Sequence, residues 1–216
     1  MRLKISCPVC DCRYAVVGAA FFCPACGHNA AEQVFTQSLT GIRAALAAIP
    51  MVRSSISDRD IAETTVRLLI ESGLQNAVTA FQRYAEALYE KLPSQPPARR
   101  NAFQNLGEGS TLWQAMTGKG YQDYLTPLEL EGLERYFQQR HLLAHRQGII
   151  DAPYIAKSGD KNYTVGQRLI MRERAVLECI DIVEKLAVGL ALTADSLSNP
   201  VTSLPDTFIT HFDIDI

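Results

Sequence analysis

The sequence predicts a mainly α-helical protein that begins with a small cysteine-rich module. Apolar residues recur at intervals of three and four through most of the chain, the spacing of one face of a helix. Five of the six cysteines lie within the first 26 residues. These patterns divide the chain into a cysteine module at 1–30, an all-helical domain at 31–196 and a C-terminal tail at 197–216.

Length and charge limit the classes of function. A chain of 216 residues can hold one full core and a small module. Its formal net charge of −2 gives no general attraction for nucleic acid, so any RNA contact must come from a local patch. No apolar run approaches the length of a membrane span, and the N-terminus lacks a signal-peptide core. We therefore expect a cytoplasmic protein with no membrane partner.

Two Cys-Pro-x-Cys knuckles organise the N-terminal module. Cys7 and Cys10 form the first, and Cys23 and Cys26 form the second after twelve intervening residues. Each knuckle turns the chain so that two thiolates face one ion, and two knuckles complete a tetrahedron. The pattern resembles a zinc ribbon with one structural zinc per chain. We expect residues 13–17 and 20–22 to form its hairpin, turned at Gly18.

Some features of this module leave alternatives open. Disulfide bonds are the minor alternative, because clustered cysteines in a cytosolic chain favour a metal. Cys12 and His28 are additional potential ligands, and Cys12 could replace a knuckle cysteine. The turn after each second cysteine usually takes glycine, which Gly27 satisfies and Asp11 does not. Because four protein ligands leave no open position, we expect no chemistry at this metal.

The apolar stripes predict the helices of the second domain. A first helix ends at Pro50, and a second starts near Ser57 and is expected to pass through Gly73 as one long element. Residues 93–100 are expected to form a loop. An irregular insert at 101–125 carries a short helix capped by Ser110 or Thr111. A surface turn is predicted at 152–165, and the last helix begins near Arg172.

The clearest helix start lies at Thr126. Thr126 can cap, Pro127 occupies the first helical position, and Glu129 completes a capping box, so we predict a helix from 127 to 147 that closes at Gly148. One broad apolar arc of this helix contains Leu130, Leu133, Tyr136, Phe137, Leu143 and Ala144. Arg140 also falls in this arc, where a permanent cation is costly unless it is paired or used.

Residues 140–145 read Arg-His-Leu-Leu-Ala-His and are followed by Gly-Ile-Ile-Asp at 148–151. The form Arg, four residues, His resembles the signature of HEPN domains, an all-helical family with many RNA-cleaving members. The resemblance covers about 31–195 in architecture and about ten residues in motif. It implies a HEPN-like helical bundle, RNA as substrate, and Arg140, His145 and His141 as catalytic residues. It also implies a homodimer, a role as toxin or phage-defence effector, and an antitoxin or sensor partner.

The chemistry of the motif agrees with this resemblance. Arginine can hold a phosphate through two parallel hydrogen bonds, and histidine can move a proton near neutral pH without a cofactor. On an ideal helix, Arg140 and His145 are about 140° apart and about 7.5 Å apart along the axis. We therefore expect two copies to build the site across this helix, with Tyr136, Phe137 or Leu143 in the interface.

Simpler interpretations compete with catalysis. Arg140 could pair with an acidic residue such as Glu173, and His145 could interact with the carboxyl end of its own helix. The spacing of His141 and His145 also fits metal ligands, although the sequence offers no third ligand. The competing class of function is a non-catalytic module that binds RNA or nucleotide, or that dimerises as an adaptor.

Overall fold

The computed structural model describes residues 3–16, 22–28 and 30–198, and it confirms the mainly α-helical fold class. The predicted turn at Gly18 and the tail from residue 199 onward lie outside these ranges. The strands and helices are β1 Leu3–Ser6, β2 Arg13–Val16, α1 Ala31–Ala47, α2 Ile49–Ser55, α3 Arg59–Tyr89, α4 Leu106–Thr117, α5 Pro127–His145, α6 Ala152–Ser158 and α7 Glu173–Ser198. Two 3-10 helices span Ala102–Gln104 and Tyr121–Asp123.

The described part of the N-terminal module is a two-stranded antiparallel hairpin. β1 pairs with β2 in a register that sets Leu3 opposite Val16 and Ser6 opposite Arg13. The strand beginning at Arg13 therefore pairs with the segment before the first knuckle. Most of the predicted partner segment, residues 20–22, lies outside the described ranges. The first knuckle connects the two strands.

Helix α3 is the centre of the bundle and packs against α1, α2, α5 and α7. Its 31 residues form one element, as predicted. Gly73 lies where three helices meet, because a Cβ atom there would be 3.3 Å from Ile42 of α1 and 3.3 Å from Val176 of α7. The glycine therefore permits a close crossing, which offsets the cost of a glycine inside a helix.

The predicted apolar stripe of α1 is buried, but Pro50 does not end the helical segment. Pro50 lies in the first turn of α2, where its missing N–H has no helical partner to lose. Helix α3 begins at Arg59, and Asp58 rather than Ser57 caps it. The Asp58 carboxylate accepts hydrogen bonds from the backbone N–H groups of Asp60 at 2.9 Å and Ile61 at 3.0 Å.

Two further boundaries differ from prediction. Asn105 caps α4, and the expected caps at Ser110 and Thr111 lie inside the helix. The predicted surface turn at 152–165 contains the short helix α6, which Asp151 caps by accepting the N–H of Tyr154 at 2.9 Å. Pro153 in its first turn favours this start.

The capping box of α5 is confirmed. Glu129 accepts the backbone N–H of Thr126 at 2.7 Å, and Thr126 accepts the N–H of Glu129 at 3.3 Å. The helix ends at His145, and the chain turns through left-handed conformations at Gln147 and Gly148. Among the described helices, none has both the length and the apolar character that crossing a bilayer requires.

Candidate functional sites

The four knuckle cysteines meet at one point. Their Sγ atoms all lie within 4.8 Å of one another. Cys7 and Cys26 are 3.6 Å apart at Sγ, and Cys10 and Cys23 are 3.7 Å apart. Four thiolates around a tetrahedral zinc ion would be about 3.8 Å apart, whereas a disulfide requires about 2.0 Å. All six cysteines are free, so this cluster could hold a metal ion.

The two knuckles have the same backbone geometry. The carbonyl of Cys7 accepts the N–H of Asp11 at 3.0 Å, and the carbonyl of Cys23 accepts that of Gly27 at 2.9 Å. Asp11 and Gly27 both adopt positive φ, 56° and 72°. Aspartate tolerates this conformation better than most residues, which explains how it replaces the usual glycine.

The thiols of the cluster shift one another's pKa in opposite directions. The backbone N–H of Cys26, with smaller contributions from other hydrogen bonds, lowers the pKa of Cys23 to about 6. At Cys10 and Cys26 a backbone hydrogen bond that favours the thiolate is outweighed by desolvation and by hydrogen bonds to neighbouring thiols, so the pKa is raised. The metal site is therefore indicated by the distances between the Sγ atoms. Cys12 and His28 do not belong to the group of four. The symmetric set predicted from the sequence is therefore the one that the fold assembles.

The second candidate site lies at the carboxyl end of α5. His141 and His145 are exposed, and their ring centroids are 4.9 Å apart with the planes inclined by 53°. Arg140 is half-buried. It makes no ion pair with any residue in the described ranges, so the alternative pairing with Glu173 does not form.

The buried face of α5 differs from the predicted arc. Leu142 and Gln139 are buried, whereas Ala144 is exposed and Leu143 is half-buried. The face is wider than one stripe because α3, α6 and α7 all contact this helix. Arg140 therefore lies at the edge of the apolar face, where its long stem can be covered while its charge reaches solvent.

Positive charge surrounds the histidine pair. The pKa of His141 is lowered by partial desolvation of its ring, then by the neighbouring charges of His145, Lys157 and Arg140, while Asp151 opposes the shift. Asp151 also pairs with Arg146 at 3.4 Å. The end of α5 is thus a local basic patch that the net charge of the chain does not reveal.

An ion pair between a half-buried arginine and a buried glutamate contacts the turn that follows this helix. Arg168 donates from Nη2 to Oε1 of Glu71 at 2.7 Å and from Nη1 to the carbonyl of Gln147. The N–H of Leu169 reaches the carbonyl of Gly148 at 2.8 Å. Sequence reasoning missed Glu71 and Arg168. The sequence did contain one indication of a buried ion pair partner, which is the glutamate between Ile70 and Leu74 in the apolar stripe of α3.

The expected dimer interface needs correction. Tyr136 and Phe137 are only 3% and 6% exposed, because they belong to the core of the chain itself. Neither aromatic side chain is available to a second copy in this fold. Leu143 is half-buried and packs against the same core.

The chain matches no protein-family model, no curated protein and no solved structure.

Proposed function

We propose that the protein is a metal-independent endoribonuclease of HEPN type. The observation that carries this proposal is the adjacent pair of exposed imidazoles, His141 and His145, beside an arginine with no ion pair in the described part of the chain. Arg140 is free to bind a phosphate through two parallel hydrogen bonds. The ion pair of Arg168 with Glu71 supports the proposal, because it fixes the helix end on which catalytic side chains need to stay in place.

The reaction needs only these groups and RNA. One imidazole accepts the proton of a 2′-hydroxyl as the 2′-oxygen bonds to the adjacent phosphorus. The bond from phosphorus to the 5′-oxygen breaks, and the second imidazole donates a proton to that oxygen. The products are a 2′,3′-cyclic phosphate and a free 5′-hydroxyl. Arg140 stabilises the negative charge that develops on the phosphate oxygens.

The two histidines have different environments that suit different roles. The lowered pKa of His141 keeps this ring neutral near pH 7, so it can accept a proton. His145, at the last position of the helix, then donates the proton to the leaving oxygen. His141 is thus the proposed base and His145 the proposed acid.

We propose a homodimer because Arg140 and His145 lie on different sides of α5. A second copy that meets the exposed part of this helix would bring the arginine of one chain toward the histidine of the other. The buried aromatic residues leave Ala144 and the half-buried Leu143 as contact candidates. RNA would then bind in a composite cleft.

The metal proposed for Cys7, Cys10, Cys23 and Cys26 is one zinc ion with a structural role. Zinc favours four thiolates in a tetrahedron, and the distances between Sγ atoms fit this geometry. A hairpin of this size has almost no core and depends on such an ion to fold. Four protein ligands leave no position for substrate.

The test is cleavage of total RNA and of single-stranded DNA by the purified protein without added metal. Wild type is expected to cut RNA only, because a histidine pair offers no means to activate water on DNA. His145→Ala and Arg140→Ala are each expected to reduce the rate by on the order of 10²-fold, and Arg140→Lys to restore little. Arg135→Ala, a half-buried arginine on the same helix, is the matched control. Equal cleavage by all variants would contradict the proposal.

The second candidate is a non-catalytic module that binds RNA or dimerises as an adaptor. The exposure of both histidines supports it, because neither ring lies in a buried, water-excluded position within one chain. Binding of RNA without cleavage would favour this candidate. For a toxin or phage-defence effector controlled by an antitoxin or sensor protein, expression of wild type but not of His145→Ala is expected to slow cell growth.

A further inference from the structure

A pocket of about 380 Å³ lies between α3 and the segment that precedes α7. Its buried lining is mostly apolar, and the one buried carboxylate among the described lining residues, Glu71, is paired with Arg168. Val66, Ile70 and Leu169 form its floor and are at most 8% exposed. A flat apolar ligand would therefore replace water against this floor without leaving a polar group of the floor unpaired.

The rim of this pocket is charged. Arg53, Arg67 and Arg168 line it together with Glu63 and Glu71. The two glutamates are engaged with Arg53 and Arg168, whereas Arg67 is exposed and makes no ion pair within the described ranges. Arg67 is thus the rim cation that is available to a ligand anion.

Arg168 connects the pocket to the end of α5. The guanidinium that lines the pocket also donates to the carbonyl of Gln147, two residues beyond His145. A Cβ atom at Gly148 would be 3.0 Å from Nη1 of Arg168. Arg168 therefore lies between the pocket and the turn that follows His145.

We infer that this pocket is a subsite for one unpaired nucleobase of single-stranded RNA, with the adjoining phosphate bound by Arg67. A nucleobase has two apolar faces, and guanidinium planes are common stacking partners for bases that leave a helix. A paired base keeps its faces inside the duplex and cannot enter. This inference rests on the proposed ribonuclease function, because it places the subsite near the phosphodiester bond that is cleaved. Binding of the base does not itself require catalysis.

The larger groove of the protein does not fit this ligand. It has a volume of about 720 Å³ and lies between α1 and α3. Among the described residues that line it, Arg83 is the only arginine. Glu86 lies one turn further along the same helix, and Glu90 directly follows the end of that helix. These carboxylates would repel a phosphate chain. Arg83 is exposed and makes no ion pair in the described ranges, so it is a matched control for Arg67 on the same helix.

The test measures binding of fluorescent eight-residue RNA homopolymers by anisotropy, in a His145→Ala background that slows cleavage. Arg67→Ala is expected to raise Kd about tenfold and to reduce the dependence of log Kd on log salt by about 0.7, as expected for one lost phosphate contact on a single strand. Arg83→Ala is expected to change Kd less than twofold. Ile170→Glu is a second variant, because Ile170 lines the pocket and is 71% exposed, so a carboxylate there should weaken binding without unfolding the chain.

The outcomes separate this inference from the proposed function. If wild type cleaves RNA while Arg67→Ala and Arg83→Ala bind and cleave alike, the subsite is wrong and the ribonuclease stands. If wild type does not cleave but Arg67→Ala still loses affinity selectively, the subsite stands as part of an RNA-binding module. A blunt RNA duplex should bind with no difference between the two arginine variants. A selective effect of Arg67 on the duplex would overturn recognition of an unpaired base.

Discussion

Arg168 and Glu71 form an ion pair of 2.7 Å across 97 residues of sequence, with Glu71 only 8% exposed. The same guanidinium donates to the carbonyl of Gln147, just after the last helical turn of α5. One arginine therefore joins the central helix to the turn that directly follows His145.

Arg168→Ala is expected to lower the free energy of unfolding by about 2 kcal/mol, because it leaves a largely buried carboxylate and a turn carbonyl without their partner. The exposed pair of Arg53 with Glu63 provides the control. Arg53→Ala is expected to cost about 0.5 kcal/mol, as for other surface pairs. Urea unfolding measures both values, and similar losses for the two variants would show that the buried pair has no special role.

Removing one knuckle cysteine is expected to remove the metal. Elemental analysis of wild type should find close to one zinc per chain, and Cys23→Ser should lose it together with the fold of the N-terminal hairpin. The helical domain should keep its circular dichroism. Cys12→Ser is the matched control, since Cys12 lies beside the cluster but outside the group of four. Loss of zinc in Cys12→Ser, but not in Cys23→Ser, would reassign the fourth ligand.

The elements predicted correctly from the sequence are those whose signals are local. The start of α5 was predicted correctly from Thr126, Pro127 and Glu129, because a capping box and a first-turn proline depend only on neighbouring residues. The apolar stripe of α7 is buried as predicted, with Val176, Ile180 and Val183 all fully buried. The cysteine cluster follows from the same kind of evidence, since each knuckle is a local turn.

The incorrect predictions concern features that depend on contacts between residues of different elements, which the sequence pattern does not reveal. Asp160 lies in the predicted surface turn, yet it is only 5% exposed. Its carboxylate accepts a hydrogen bond from the hydroxyl of Tyr154 at 2.7 Å and hydrogen bonds from the backbone and side-chain amides of Asn162. Tyr154 in turn is bound by Gln139 of α5. No periodic pattern in a single sequence predicts such a network, nor the pairing of Glu71 with Arg168.

The lowered pKa of His141 predicts a specific pH dependence. Nuclear magnetic resonance titration should give a midpoint for this ring below 6.5, its usual value. His145→Asn should raise the midpoint, because it removes a nearby positive charge while leaving the partial desolvation of the ring. Lys157→Gln should raise the midpoint less, and Lys161→Gln, which is not among the causes of this shift, should leave the midpoint unchanged.

If His141 accepts the proton, cleavage should remain near its maximum as pH falls to 6.5 and decline below the lowered pKa. A rate that falls well above 6.5 would exclude His141 as the base.

The final prediction concerns the proposed dimer. Light scattering at micromolar concentration should give twice the chain mass of 23.9 kDa. Ala144→Glu should restore the monomer, because Ala144 is exposed on α5 between Leu143 and His145, and a buried, unpaired carboxylate in the interface is costly. Ala144→Glu tests the interface more directly than Leu143→Asp would. Leu143 packs against the core of its own chain, so its replacement would also affect folding.

Thr64→Glu, at an exposed position on α3, is the control and should stay dimeric with the same thermal midpoint. A monomeric wild type would remove the composite cleft. A dimer that tolerates Ala144→Glu would place the contact on another surface. Cleavage that falls as the monomer fraction rises would tie activity to the dimer.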